Sequence, residues 1–354
     1  MVKNLLKKLL LLCCVLFFVN DTQAQDIHFS QFYASPLTLN PAMTGMMQGC
    51  YRGAVNYRNQ YADLAPYNTV SGSFDAAVLR GLIGRRADYL GVGIMLFNDR
   101  AGYGLLNNFS VMGSVAYHFA FDTQGKHRLS LGFQGGYVQK SIDFSKLTFE
   151  NQFDGTGFNT LLPNGESIED YSFGYFDFRA GGLISSVVNK QVSLYLGAAM
   201  FHLSEPTEQF LTNDNGGANT LDRRVVLHGG ANLSLSRDIS LVPNFIYMKQ
   251  GPASEINVGA LFGYQFAGGG NSYSSRNNGS TFFLGLQYRV KDAFIPLIGL
   301  EYEDFRFGLS YDVNVSELKT ATLGQGGVEL SITYEMKCEP QGRRTFPPAA
   351  CPRF

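Results

Sequence analysis

Apolar and polar residues alternate along most of this chain with a period of two. From Glu255 to Phe266, the residues Ile256, Val258, Ala260, Phe262, Tyr264 and Phe266 fall on one face. Asn257, Gly259, Gly263 and Gln265 fall on the other, with Leu261 as the exception. Phe305, Phe307, Leu309, Tyr311 and Val313 alternate with Arg306, Gly308, Ser310, Asp312 and Asn314. Val328, Leu330, Ile332, Tyr334 and Met336 alternate with Glu329, Ser331, Thr333, Glu335 and Lys337. Successive strand side chains point to opposite faces, so such runs predict strands with one apolar and one polar face. About fourteen are predicted, at 50–59, 67–79, 89–97, 107–121, 126–140, 171–185, 191–202, 223–236, 239–249, 255–266, 280–290, 293–302, 304–315 and 326–337. Most reach the roughly 9–11 residues that a tilted strand needs to cross a bilayer.

The same alternation suits a soluble sandwich, with its apolar face in the core, or a membrane barrel, with that face towards lipid. Composition favours the barrel. Charged residues make up 16% of the chain, against about 25% in an average soluble domain, and aromatic residues make up 14%. Lys3, Lys7 and Lys8 precede an apolar run from Leu9 to Val19, and Thr22-Gln23-Ala24 offers a small-x-small site. This reads as an export signal over residues 1–24. Leucines before Cys13 and Cys14 make a poor lipidation site. After residue 24 there are 25 basic against 28 acidic residues, a net charge of −3. No basic stripe points to nucleic acid as a partner. Of Cys50, Cys338 and Cys351, the two in the tail can pair, which leaves Cys50 as the odd one; their spacing is no zinc ligand set.

An even strand count returns both ends of the barrel to the periplasm. Asp122–Gly125, Arg237–Asp238 and Glu303 are then tight periplasmic turns, and Ser141–Asp170 and Leu203–Asp222 are long outer loops. Ala267–Gly279 is long for its side and departs from the scheme. The register sends Arg52, Arg58, Asp75, Asp177, Arg179, Arg224, Glu301, Arg306, Asp312, Glu329 and Glu335 to the lumen. Arg or Lys facing lipid at the midplane costs about 2–4 kcal/mol. The plain reading of these charges is that they solvate and brace a wet interior; a selective constriction is the sharper one.

Between signal and first strand lies QDIHFSQFYASPLTLNPAMTG, Gln25 to Gly45. Pro36 and Pro41 fix φ and lack an N–H, and Ser35 and Asn40 before them are biased towards extended backbone. Phe29, Phe32, Tyr33, Leu37 and Leu39 want a docking surface, and Asn40-Pro41 with Gly45 reads as a closing turn. An ordered, extended periplasmic arm over 25–49 is therefore expected, ahead of a barrel over 50–337 and a tail over 338–354. Phe97, Phe201, Ile246, Met248 and Leu297 interrupt the polar lumen and offer an apolar seat. The arm is expected to fold into the periplasmic mouth as a plug, the other docking place being a periplasmic partner.

HFSQFYASPLTLNPAMTG at 28–45 and YRNQY at 57–61 resemble the opening of the PorP/SprF family of Bacteroidota. GVGIMLFNDR, LGAAMFHLSEP, VVLHGGANLSLS and FGLSYDVNVSEL, at 91–100, 196–206, 225–236 and 307–318, echo the same family over nearly the whole chain. The resemblance implies an outer-membrane barrel in contact with lipid that works with the type IX secretion machinery, including its periplasmic ring proteins. It implies delivery or anchoring of secreted substrates that carry a C-terminal sorting domain, without catalysis and without a cofactor. Involvement in gliding motility is left open.

No nucleotide, hydrolase or metalloprotease motif is present. His202 with Ser204 is more simply a strand-end histidine than a hydrolase couple. Asn213-Asp214-Asn215-Gly216 lacks the terminal acid of a calcium loop. The tail from Cys338 to Phe354 departs from the family pattern, because Phe354 lies beyond a Pro-Pro break and not at a strand end. The alternative function is a substrate-specific porin or uptake channel, which a polar lumen serves equally well but which needs no apolar arm.

Overall fold

The computed structural model describes residues 26–336 apart from 27, 62–65, 81, 85–86, 103–105, 144–146, 160, 164, 166–171, 209–218, 267–279 and 318. The expected signal segment, the tail with Cys338, Cys351 and Phe354, the turn Ala267–Gly279 and the Asn213–Gly216 motif lie outside the described residues.

Fourteen antiparallel strands close into one barrel. They are β1 (Tyr51–Gln60), β2 (Tyr67–Val78), β3 (Tyr89–Ala101), β4 (Leu106–Ala120), β5 (His127–Ser141), β6 (Ser172–Val187) and β7 (Val192–Phe201), then β10 (Arg224–Ser234), β11 (Ile239–Gln250), β12 (Ala253–Phe266), β13 (Ser280–Arg289), β14 (Ala293–Tyr302), β15 (Phe305–Asn314) and β16 (Gln325–Met336). Two-residue strands β8 (Thr207–Glu208) and β9 (Asn219–Thr220) pair in the connection after β7, a detail with no alternation to announce it. Each strand pairs with its neighbour in sequence, and β1 meets β16 from Tyr51↔Met336 to Gln60↔Gly327, which closes the sheet. Closure leaves no free edge. Two lapses interrupt the pairing among the described residues, each beside a proline, which has no N–H to give: β10 and β11 skip Ala231 and Asn232 opposite Val242 and Pro243, and β14 and β15 skip Ile295 and Pro296 opposite Tyr311 and Asp312.

The outward residues are apolar and exposed, among them Val55, Ile94, Leu131, Ile184, Leu196 and Leu286. An apolar band running right round the barrel far exceeds the few hundred Å² tolerated on a soluble monomer; lipid is the solvent that suits it. Exposed and half-buried aromatics gather near both ends of the strands. Tyr51 stacks on Phe74 at the end where the barrel begins and finishes, and Tyr288 stacks on Phe294 at the other. Such girdles mark the two membrane interfaces.

The segment before β1 lies inside the barrel. It is not extended: one-turn helices form at Phe32–Ala34, Pro36–Leu39 and Pro41–Met43. Pro36 and Pro41 each sit at the start of a turn, the position where a missing N–H costs nothing and a fixed φ helps. Nor is it confined to the periplasmic mouth. Asp26 lies beside Gln250 and His202, at the end carrying the long connections 142–171 and 202–223, while Gln48 and Gly49 reach Glu335 at the opposite end. The segment thus runs the height of the lumen before emerging into β1. Its apolar seats are spread over both halves of the wall, so it follows them.

Cys50 is disulfide-bonded, and so is not the odd cysteine that its isolation in the sequence suggests.

Candidate functional site

The wall holds the segment largely by its backbone. Glu329 accepts the N–H groups of Ser30 and Gln31 at 2.7 and 2.9 Å. Asp75 accepts Gly45 N–H at 2.7 Å, and Glu335 accepts both Gln48 and Gly49 N–H at 2.7 Å. Arg52 donates to the carbonyls of Met43 and Met46 while its guanidinium pairs with Asp75 at 2.7 Å. Arg58 donates to His28 O and pairs with Asp312 at 2.9 Å; Arg289 pairs with the same carboxylate at 2.5 Å. The His118 ring N–H donates to Thr44 O at 2.8 Å. Hydrogen bonds to ionised groups are about twice as strong as neutral ones, and a buried ion left without a partner is heavily penalised. The lumen charges and the backbone of the segment therefore stabilise each other.

Apolar side chains fill the spaces between. Phe32, Leu39, Met43 and Met46 pack with Leu183, Phe201, Val226 and Ile246. Leu37 packs with Met95, Met112 and Val138, and Tyr33 lies against Val242, Leu261 and Leu297. Phe29 meets Phe97 edge to face, with centroids 6.4 Å apart. Each large apolar side chain buried contributes about 1.5–3 kcal/mol.

Asn40 ties the two modes together. Its Oδ1 caps the third turn by accepting Ala42 N–H at 2.8 Å, and its Nδ2 donates to the carbonyls of Gly182 and Ala198 at 3.1 and 3.3 Å. Gly45 takes φ +72°, a left-handed turn that brings its Cα against Gly91. A Cβ on Gly91 would stand 1.9 Å from Thr44 O, so only glycine lets the two backbones approach so closely there.

Phe29, Phe32, Tyr33, Pro36, Asn40, Pro41 and Gly45 thus come together inside the barrel, all buried except the half-buried Tyr33. Among the charges, Arg58, Asp75 and Glu329 touch the segment directly. Arg306 pairs with Glu301 and Glu335, each at 3.3 Å, and Glu335 in turn holds the segment. Arg179 pairs with Asp177 at 3.0 Å and lies over the Phe201 ring. Ser204 hydroxyl donates to Phe176 O, not to His202, which sits between Asp26 at 2.5 Å and Asp177 at 3.1 Å. His118, Arg289 and Gly91 escaped the sequence reading. A strand histidine, arginine or glycine has no local signal that it faces a second chain segment.

A closed sheet with lipid outside and its own chain within is a transmembrane β-barrel of the outer-membrane type. The model of the type IX secretion system membrane protein PorP/SprF family matches residues 21–334, and the chain belongs to that family. No curated protein matches it. Among solved structures, the Ralstonia pickettii toluene transporter TbuX is similar at 14% identity, over 86% of this chain and 94% of that one, with a TM-score of 0.49. The CymD monoaromatic hydrocarbon channel is similar at 14% identity, over 86% and 93%, with a TM-score of 0.45. The Pseudomonas putida toluene transporter TodX is similar at 9% identity, over 88% and 95%, with a TM-score of 0.46. The barrel itself rests on this chain's own closed ladder.

Proposed function

We propose that this protein is a non-enzymatic barrel of type IX export that helps deliver or anchor particular secreted proteins at the cell surface. Residues 25–49 serve as a plug seated in the lumen, residues 50–337 as the barrel, and residues 338–354 as a periplasmic tail behind a cleaved signal. The observation that supports this reading is the filling of the lumen by the chain's own segment, held by wall groups that a solute pathway would need free. Family membership supports a place in the type IX machinery. The periplasmic ring proteins and substrates with a C-terminal sorting domain are the partners this reading takes. Comparative surface proteomics of a deletion strain and its parent tests it. One or a few surface proteins are expected to disappear while small-solute uptake is kept. Unchanged surface proteins with lost uptake of one nutrient would make the barrel a porin instead.

A further inference from the structure

On the lipid-facing side of the wall, the ladder lapses where Ala231 and Asn232 stand opposite Val242 and Pro243. The outward side chains there, Ala231 and Pro243, are short. Around them Ile184, Leu194, Leu196 and Phe245 are large and exposed. The difference in size leaves an open apolar groove of about 580 Å³ across β6, β7, β10 and β11, within the roughly 300–1,000 Å³ of ligand clefts. Ser186 lies at its edge, bonded through its hydroxyl to the His127 ring at 2.8 Å.

The groove sits in the half of the wall away from the long connections. Ala231 stands three residues before the end of β10 and Pro243 four after the start of β11. At about 3.3 Å per residue that is roughly 10–13 Å along the strands, and less in height, since barrel strands are tilted. The groove therefore opens just inside the hydrocarbon layer, and the turns at 188–191 and 235–238 fall at the level of the lipid headgroups.

Those two turns carry Lys190, Arg237 and Asp238, all exposed. Neither cation forms an ion pair among the described residues. One positive charge is left over. The adjoining turn between β4 and β5 adds Lys126 and Asp122, which cancel. Farther round the same rim, the turn between β14 and β15 carries Glu303 and Asp304, so the basic balance belongs to the groove's side. A purely apolar occupant would fill the groove and leave the cations unanswered. A partner adding a strand finds no free edge in a closed barrel. An amphiphile with a long chain and an anionic head answers both.

We infer that the groove seats an acyl chain of a phospholipid with a single net negative charge, drawn from the leaflet on the side of the short turns, its phosphate on Lys190 and Arg237. The inference stands apart from the export role and does not depend on it.

Phosphatidylglycerol and phosphatidylcholine with the same acyl chains, added to the full-length protein in detergent and followed by native mass spectrometry, test the site. Phosphatidylglycerol is expected to be retained at least about fivefold better, the worth of one net basic charge near a headgroup. Lys190→Gln combined with Arg237→Gln is expected to erase that preference. Ala231→Trp, which fills the groove, is expected to cut retention of both lipids. Leu284→Trp, on the lipid face of β13, is expected to leave it unchanged. Heat-modifiable gel mobility checks that each variant is folded. Equal retention of the two lipids by the unaltered protein overturns the inference. So does a preference that survives the double substitution, unchanged retention in Ala231→Trp, or an equal loss in Leu284→Trp. Should no variant fold, the comparison of the two lipids on the unaltered protein still decides.

Discussion

His202 takes φ +56°, a left-handed backbone that costs a non-glycine residue energy, to lie between Asp26 and Asp177. Burial works against its charged form, but the two carboxylates outweigh burial and its pKa sits above the ordinary value. Burial also opposes ionisation of Asp26, yet His202 and Arg224 hold its carboxyl well below the usual range. The stabilisation from His202 is therefore complete below its unfolded pKa of about 6.5 and is lost as pH rises through the raised folded value. The contribution of Asp26 is present above about pH 3.9 and is lost only as pH falls through its lowered value. The outer end of the segment should hold at acidic and neutral pH and loosen on the alkaline side. Amide hydrogen exchange of Phe29 and Ser30, corrected for intrinsic rate, would show this as protection falling above neutral pH. His202→Asn should flatten the profile and weaken the seat by about 3 kcal/mol, the low end for a broken buried pair, since Asp26 keeps 23% of its side chain exposed. Unchanged protection in that variant would remove His202 from the clasp. The sequence marked His202 only as a strand-end histidine, because its partner Asp26 lies 176 residues away.

At the scale of elements, the fourteen strands were legible because each repeats one alternation over enough residues to average out exceptions such as Leu261. The segment before them was legible as ordered and apolar but not as helical. Proline at the first position of a one-turn helix and proline in an extended path look alike in sequence. Its direction through the lumen was hidden too, since apolar seats at Phe201 and Ile246 declare no height until the strands are paired. Carboxylates that read backbone N–H groups also leave no complementary pattern in the segment they hold. Removing residues 26–44 with the signal kept should leave an assembled barrel, because no strand pairs with that stretch. It should raise ion conductance in planar bilayers and abolish the export role. Conductance at the parental value would show that the segment is not the plug.

The barrel wall turns charges such as Arg58, Asp75 and Glu329 inward and a continuous apolar band outward, the reverse of a soluble domain. That inversion was legible from the cost of a lipid-facing charge, applied to the register of Arg58, Asp75 and Glu329. The protein should fractionate with the outer membrane and migrate faster unheated than boiled on a detergent gel. A monomer soluble without detergent would overturn the barrel.

One consequence concerns the order in which the molecule is built. Gly49 and Cys50 are fastened to Glu335 and Met336, so the segment is tethered at the seam between the first and last strands. A cylinder already shut at that seam admits a folded insert of this girth only by being threaded from one rim. A sheet still open there can be wrapped around it. The segment before β1 is then enclosed rather than threaded, while the strand ladder itself needs no pairing with it to close. On that order Tyr51 meets Met336 last, and the seam closes over a segment already in place.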